Sequence, residues 1–207
     1  MNFASESSRL NGRVASLLAS FLFFGSACAA DVVVQVVDEN GRGLDQAALA
    51  LVPSAKPGVP PKPASAEISQ KDKRFMPLVT AVPTGTAINF PNRDTVRHHV
   101  YSFSPAKTFE LKLYTGTPAA PVIFDKPGIV MMGCNIHDHM VAYVMVANST
   151  WLGVSDGTGR VELKSLPPGD YELEYWHPRW VGVTEVARTA LRVTGDLVHT
   201  LIVRNTP

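Results

Sequence analysis

The 207-residue sequence predicts an all-β protein, and three observations carry that reading. Short runs rich in Val, Ile, Phe and Tyr recur along the chain. Clusters of Gly, Pro, Asn and Asp separate them at short intervals. No stretch after residue 30 carries a convincing helical apolar period. β-branched and aromatic residues suit a pleated, half-buried strand, and turn residues punctuate it. Many short strands spaced in this way belong to sandwiches and barrels.

The first 30 residues read as a signal for export rather than as fold. A polar head with Arg9 and Arg13 precedes an apolar run over 14–24 and a small-residue end, Gly25 to Ala30. That order is a secretory signal peptide, and the run is too short for the roughly 20 residues of a membrane span. Cleavage after Ala29 or Ala30 removes Cys28 and leaves Cys134 as the only mature cysteine. Lipidation at Cys28 is a weaker reading, because Gly25 stands where a Leu-like residue is wanted. Exported proteins usually pair their cysteines, so a solitary Cys134 asks for an occupant of its sulfur. Without Arg9, Arg13 and Glu6 the two charge signs balance, and no basic patch of the kind nucleic acid needs is visible. The expected location is the periplasm, with no membrane span.

Strands are expected at 32–37 and 47–52, joined by the turn Asp38-Glu-Asn-Gly-Arg-Gly43. Residues 55–65, rich in Pro, Ala and Lys, read as a linker or surface loop. Further strands are expected at 78–82, 87–90, 99–103, 109–113, 122–124, 128–132 and 141–147, then at 160–163, 171–176, 190–193 and 197–203. The segment 149–207, with its Asp156-Gly-Thr-Gly159 and Pro167-Pro-Gly-Asp170 turns, resembles the small Ig-like module of the carboxypeptidase-regulatory-like and carbohydrate-binding-like superfamily. Such modules open with a strand, an Asp-x-x-Gly turn and a second strand, a pattern found here at 34–52. Residues 31–54 are therefore expected to join 149–207 in one sandwich, with 66–148 inserted as a second β-domain. Two consecutive units, with 31–54 as an arm of the middle domain, is the alternative.

Four of the six histidines lie in two stretches, one holding His98 and His99 and the other His137 and His139. The second stretch contains Cys134-x-x-His137-x-x-Met140, three kinds of metal donor in seven residues. A thiolate, two imidazoles and a long axial thioether suit both Cu(I) and Cu(II). Two strands joined by a tight loop would hold them rigidly, and the remaining imidazole comes from His98 or His99 on another strand. Zinc could use a Cys and two His, but thioether is a poor zinc ligand.

These motifs resemble the cupredoxins, and more narrowly the cupredoxin-like methylamine-utilisation proteins of bacteria, with a short copper loop similar to that of amicyanin. The resemblance covers nearly all of the mature chain. It implies a cupredoxin-like Greek-key β-sandwich beside the small Ig-like sandwich. It also implies one type-1-like copper site, with His98 as first imidazole, Cys134 as thiolate, His137 as second imidazole and Met140 as axial thioether. The Asn that follows the first histidine in many cupredoxins is His99 here. Strand alternation puts His98 and His99 on opposite faces, and the motif selects His98.

Other candidates read as structural. His139 is expected to face solvent, His177 to cap a strand end and His199 to be exposed. One of Met131 and Met132, and Met145, are expected in the core. Met76 is a rival axial ligand only if Met140 points away. Asn92 and Asp94 read first as turn residues, with support of a ligand as the sharper option for both. The expected function is one-electron transfer to a transient protein partner, in amine oxidation by resemblance, and not catalysis. Copper binding for assembly of another protein is the second expectation. Glycan or protein binding by the Ig-like part ranks last, since only Trp176 and Trp180 offer candidate surface aromatics.

Overall fold

The computed structural model describes residue 1 and residues 29–55, 61–180 and 182–204. The expected export segment lies outside them except for Met1, Ala29 and Ala30. Every regular element among the described residues is a strand, and no helix there is long and apolar enough to cross a membrane. In chain order the strands are β1 (Ala30–Val37), β2 (Ala48–Pro53), β3 (Ser65–Glu67), β4 (Ser69–Lys71), β5 (Arg74–Met76), β6 (Val79–Pro83), β7 (Thr86–Asn89), β8 (His98–Ser104) and β9 (Lys107–Tyr114). They continue with β10 (Val122–Phe124), β11 (Gly128–Gly133), β12 (Val141–Ala147), β13 (Leu152–Val154), β14 (Arg160–Leu166), β15 (Gly169–Trp176), β16 (Ala187–Val193) and β17 (Leu197–Ile202).

The strands before residue 54 share their sheets with strands after residue 151. β1 lies between β14, antiparallel, and β17, parallel. β2 lies between β13 and β15, with β16 beyond β15. Alternation explains β1: Val32, Val34 and Val36 are fully buried while Asp31 is exposed. Two Asp-headed turns close this unit. The Asp38 carboxylate accepts the Asn40 and Arg42 amides, each at 2.9 Å. Asp156 likewise accepts the Thr158 and Arg160 amides at 2.8 and 3.0 Å. Trp176 and Trp180 are buried, their indole N–H groups donating to the Val183 and Arg204 carbonyls, so neither offers the surface aromatic considered for glycan binding. His177 closes β15, with its ring on the Asp45 carbonyl and the Arg179 amide.

Gly159 sits where these turns meet. Its φ is +82°, and a Cβ there would lie 2.2 Å from the Val36 carbonyl oxygen. Both the backbone conformation and the contact exclude a side chain. Gly159→Ala is expected to cost about 2 kcal/mol or more, seen as a lower urea midpoint; an unchanged midpoint would contradict this packing.

The middle strands form a five-stranded sheet, β6-β12-β11-β8-β9, facing a smaller one, β10-β7-β3, with the β4–β5 hairpin alongside. The core between them includes Ile68, Ile88, Phe90, Val100, Phe124 and Val144. β11 and β12 alternate between two neighbours. Val130, Met132, Ala142 and Val144 face this core, whereas Ile129, Met145 and Ala147 pack into the core of the first unit. Tyr143 packs against Trp176 across the junction in a tilted pair, with ring centroids 4.8 Å apart. The part of that sheet face built by Ile129, Met145 and Ala147 is thus in the other unit's interior, whereas Phe103 on β8 is 80% exposed.

Candidate metal centre

Cys134 directly follows β11 and Met140 directly precedes β12, so the whole motif is the connection of one hairpin. The connection closes on itself: the Cys134 amide donates to the Met140 carbonyl at 3.2 Å, and the Met140 amide to the His137 carbonyl at 2.9 Å. His98 opens β8, whose pairing with β9 is irregular between His98 and Val100. β8 neighbours β11, and this brings His98 against the loop.

His98, Cys134 and His137 converge. One donor atom from each lies within 4.8 Å of the other two. The Cys134 Sγ is 4.0 Å from His98 Nδ1 and 3.9 Å from His137 Nδ1. The two imidazole rings are 5.1 Å apart. His98 is fully buried, Cys134 is 3% exposed, and His137 is half-buried at the edge. Met140 is 1% exposed and belongs to the same apolar cluster as Cys134. Cys134 is in no disulfide.

Asp94 fixes His98. The His98 Nε2–H donates to Asp94 Oδ2 at 2.7 Å, which selects the tautomer that leaves the Nδ1 lone pair turned to the thiol. A carboxylate behind a histidine is a standard way to orient a metal ligand and raise its basicity. The same carboxylate holds the β4–β5 turn: Oδ1 accepts the Asp72 amide at 2.7 Å and Oδ2 the Lys73 amide at 2.9 Å. Asp72 and Lys73 both have positive φ, 54° and 56°, a turn that favours Gly or Asn. Asp94 in turn is oriented by Asn92, whose side-chain oxygen accepts its amide at 2.9 Å. Tyr114, opposite His98 in the register, donates to the Phe90 carbonyl at 2.6 Å and accepts from Gln70. Burial, with Cys134 adding to it, pushes the Tyr114 phenol up to about 12.

Burial alone would raise the Asp94 pKa. The Lys73 amide, the His98 ring and the Asp72 amide outweigh it and hold the carboxyl below its ordinary value. A depressed acid contributes stability that is present above the unfolded value, about 3.9, and is lost as pH falls through the folded value. The metal-free protein should therefore be more stable than Asp94→Asn at pH 7, with the gap closing below about pH 4. Thermal unfolding at the two pH values reads this; a gap independent of pH would contradict it. For His137, partial burial first, then the neighbouring His98, Lys73 and His139, lower the pKa, which keeps the ring neutral and available to a metal.

The remaining candidates stand apart. His99 turns to Glu110, its Nε2 2.9 Å from the carboxylate, and its buried Nδ1 has no partner. His139 is exposed, its ring 6.0 Å from that of His137. Met76 is 51% exposed on β5. Met132 and Met145 are core, Met131 is exposed, and His199 is half-buried. The contribution of Asp72 and Lys73 to the site carries no sequence signal of its own.

The donor geometry suits a metal ion. A sulfur about 2.3 Å and a nitrogen about 2.0 Å from one ion are about 3.7 Å apart at a trigonal angle, close to the separations found. Fold and site together define an all-β chain with a buried one-sulfur, two-nitrogen metal constellation.

No protein-family model matches the chain, and no curated protein matches it. Solved structures do show similarity. A purple cupredoxin from Nitrosopumilus maritimus is 22% identical, with 40% of this chain and 99% of that one covered at a TM-score of 0.35. A copper-containing nitrite reductase from Thermus scotoductus is 22% identical, with 55% and 28% covered at 0.37. A mutant of amicyanin in its reduced Cu(I) form is 16% identical, with 50% and 100% covered at 0.36. At these identities and scores, function has to be read from the donor set.

Proposed function

We propose that this chain is an exported copper protein that carries single electrons in the periplasm. The observation that carries the reading is the pair of imidazole Nδ1 atoms turned to one buried thiol, with the other nitrogen of His98 already committed to Asp94. His98, Cys134 and His137 would hold the ion, and Met140 would be the weak axial donor. A thiolate with two imidazoles and a thioether favours copper over zinc. Bound copper supplies a reversible one-electron couple.

The chain's own residues make that couple usable. The loop hydrogen bonds and Asp94 hold the donors in place without help from the ion, so little has to rearrange when its charge changes. The apolar cluster around Cys134 and Met140 keeps water from the buried side. His137, half-buried, brings an imidazole edge towards the surface for a transient protein partner. The chain would pass electrons rather than transform a substrate. Its place in amine oxidation follows from resemblance alone. The strand pairings also support treating 66–148 as a domain inserted into the unit built by 31–54 and 149–207.

The test is spectroscopic. Cu(II) added to the mature protein should give an intense visible thiolate-to-copper band that bleaches on reduction and returns on oxidation. Tight copper binding without that band would replace this reading by metal storage or delivery, for which His139 beside His137 offers an exposed second imidazole.

A further inference from the structure

We propose that the open side of the metal loop docks an acidic redox protein, and that the turn of the β4–β5 hairpin recognises it. The inference rests on the electron-carrier reading and names the partner chemistry of that same site.

Lys71, Lys73 and Arg74 crowd the hairpin turn, and all three are exposed. None forms an ion pair among the described residues; Arg97, Lys112 and Lys126 are likewise unpaired, but only here do three such cations fall within four residues of the described chain. Cations left unpaired on one small turn are available to an outside partner. The turn is also held in place: Asp94 binds the Asp72 and Lys73 amides and, through the same carboxylate, the His98 ring. The charges therefore stand at a fixed position relative to the donors.

Beside the turn lies a groove of about 730 Å³ whose lining includes Lys71, Arg74, Met76, Leu78, His139 and Val141. Met76 and Leu78 are 51% and 38% exposed, and Ile136 on the loop is 46% exposed. Asp72 lies on the same wall and offsets one of the cations. An apolar floor with a cationic rim, reached by His139 of the metal loop, fits a partner with carboxylates around its own electron-transfer site. Opposite charges speed encounter and orient it, and salt screening keeps the complex short-lived. An anionic membrane would also attract cations, but two of these, Lys71 and Arg74, line a concave groove rather than a flat face.

The experiment uses the copper-loaded mature protein in its reduced form, mixed with ferricyanide, an anionic one-electron oxidant, across a range of ionic strength. The oxidation rate should fall as salt rises. The triple variant Lys71→Glu, Lys73→Glu, Arg74→Glu should keep the copper band, react about tenfold more slowly at low salt and reverse the salt slope. A cationic oxidant, tris(phenanthroline)cobalt(III), should be accelerated in the same variant. The same charge change at Arg160, Lys164 and Arg192, on β14 and β16, should leave both rates within about twofold. Equal effects from the two triple variants would overturn the proposal, because net charge alone would then explain them. Binding of the wild type to phosphatidylglycerol vesicles, lost in the first variant while its oxidation rates stay unchanged, would overturn it in favour of a membrane. Absence of the copper band in the wild type would be a failure of the electron-carrier reading. In that event, amide shifts induced in the metal-free protein by redox-inert hexacyanocobaltate(III) decide the anion site: shifts centred on 71–74 and 137–139 support it, and their absence there overturns it.

Discussion

Cys134→Ser is expected to abolish the thiolate-to-copper band completely and to weaken copper binding by at least about a hundredfold. The sulfur is the softest donor present and the only thiol among the described residues. A serine hydroxyl is a hard, neutral group that does not ionise near neutral pH, so the trigonal set would lose its charge and one of its three strong donors. The fold should survive. Serine is slightly smaller than cysteine, and one poorly partnered hydroxyl at a 3%-exposed position costs about 1–3 kcal/mol. Circular dichroism would confirm folding while absorption and a copper titration read the site. His139→Ala should leave the band in place, because that ring lies beside His137 rather than among the converging donors. A band that persisted in Cys134→Ser, or vanished in His139→Ala, would remove the ligand set assigned here.

Asp94→Asn should raise the reduction potential by about 60 mV. The carboxylate behind His98 makes the imidazole a stronger donor, which favours the more highly charged Cu(II) state. Neutralising it removes that preference. If the loss is about tenfold in the ratio of affinities for the two oxidation states, a one-electron couple moves by about 59 mV. The substitution has a second consequence that a merely local change would not. Asp94 accepts three donors, from Asp72, Lys73 and His98, whereas an amide offers one oxygen. The Asp72 and Lys73 amides should therefore exchange faster with solvent deuterium. Voltammetry and hydrogen exchange together decide the matter, since a shift in neither would show that Asp94 does not link turn and ligand.

The candidate donors stood out in the sequence because their chemistry and their spacing are both local. Cys134, His137 and Met140 fall within one loop, and the rule that neighbouring strand residues face opposite ways reduced His98 and His99 to a choice of one. Most strands were readable from Val, Ile and aromatic runs. The β4–β5 hairpin was not. Ser69-Gln-Lys71 and Arg74-Phe-Met76 contain no β-branched residue, and their turn is Asp72-Lys73 in place of the Asn-Gly that such a geometry favours. That turn is held by Asp94, 22 residues away from Asp72, and no local pattern reports a long-range clamp. β3 and β13 are three-residue strands, too short to show a period. The burial of Trp176, against Tyr143, was missed for a related reason: alternation along one strand does not say what a second unit will cover; Trp180 lies beyond the end of β15 and is held by Arg204, 24 residues on.

The sheet order also fixes a sequence of events. β1 lies against β17, and the Asp31 amide is bonded to Asp196, 165 residues further on. Contacts of such separation form late and slowly, because a long loop must close first. The four candidate donor residues, by contrast, all precede β13. During synthesis the candidate donors can thus come together while β1 and β2 still wait for their partners. The face of β11 and β12 bearing Ile129, Tyr143 and Met145 meanwhile stays uncovered. Such a nascent chain would be sticky until its last strands arrive, so interruption near residue 150 would yield a metal-competent but aggregation-prone fragment.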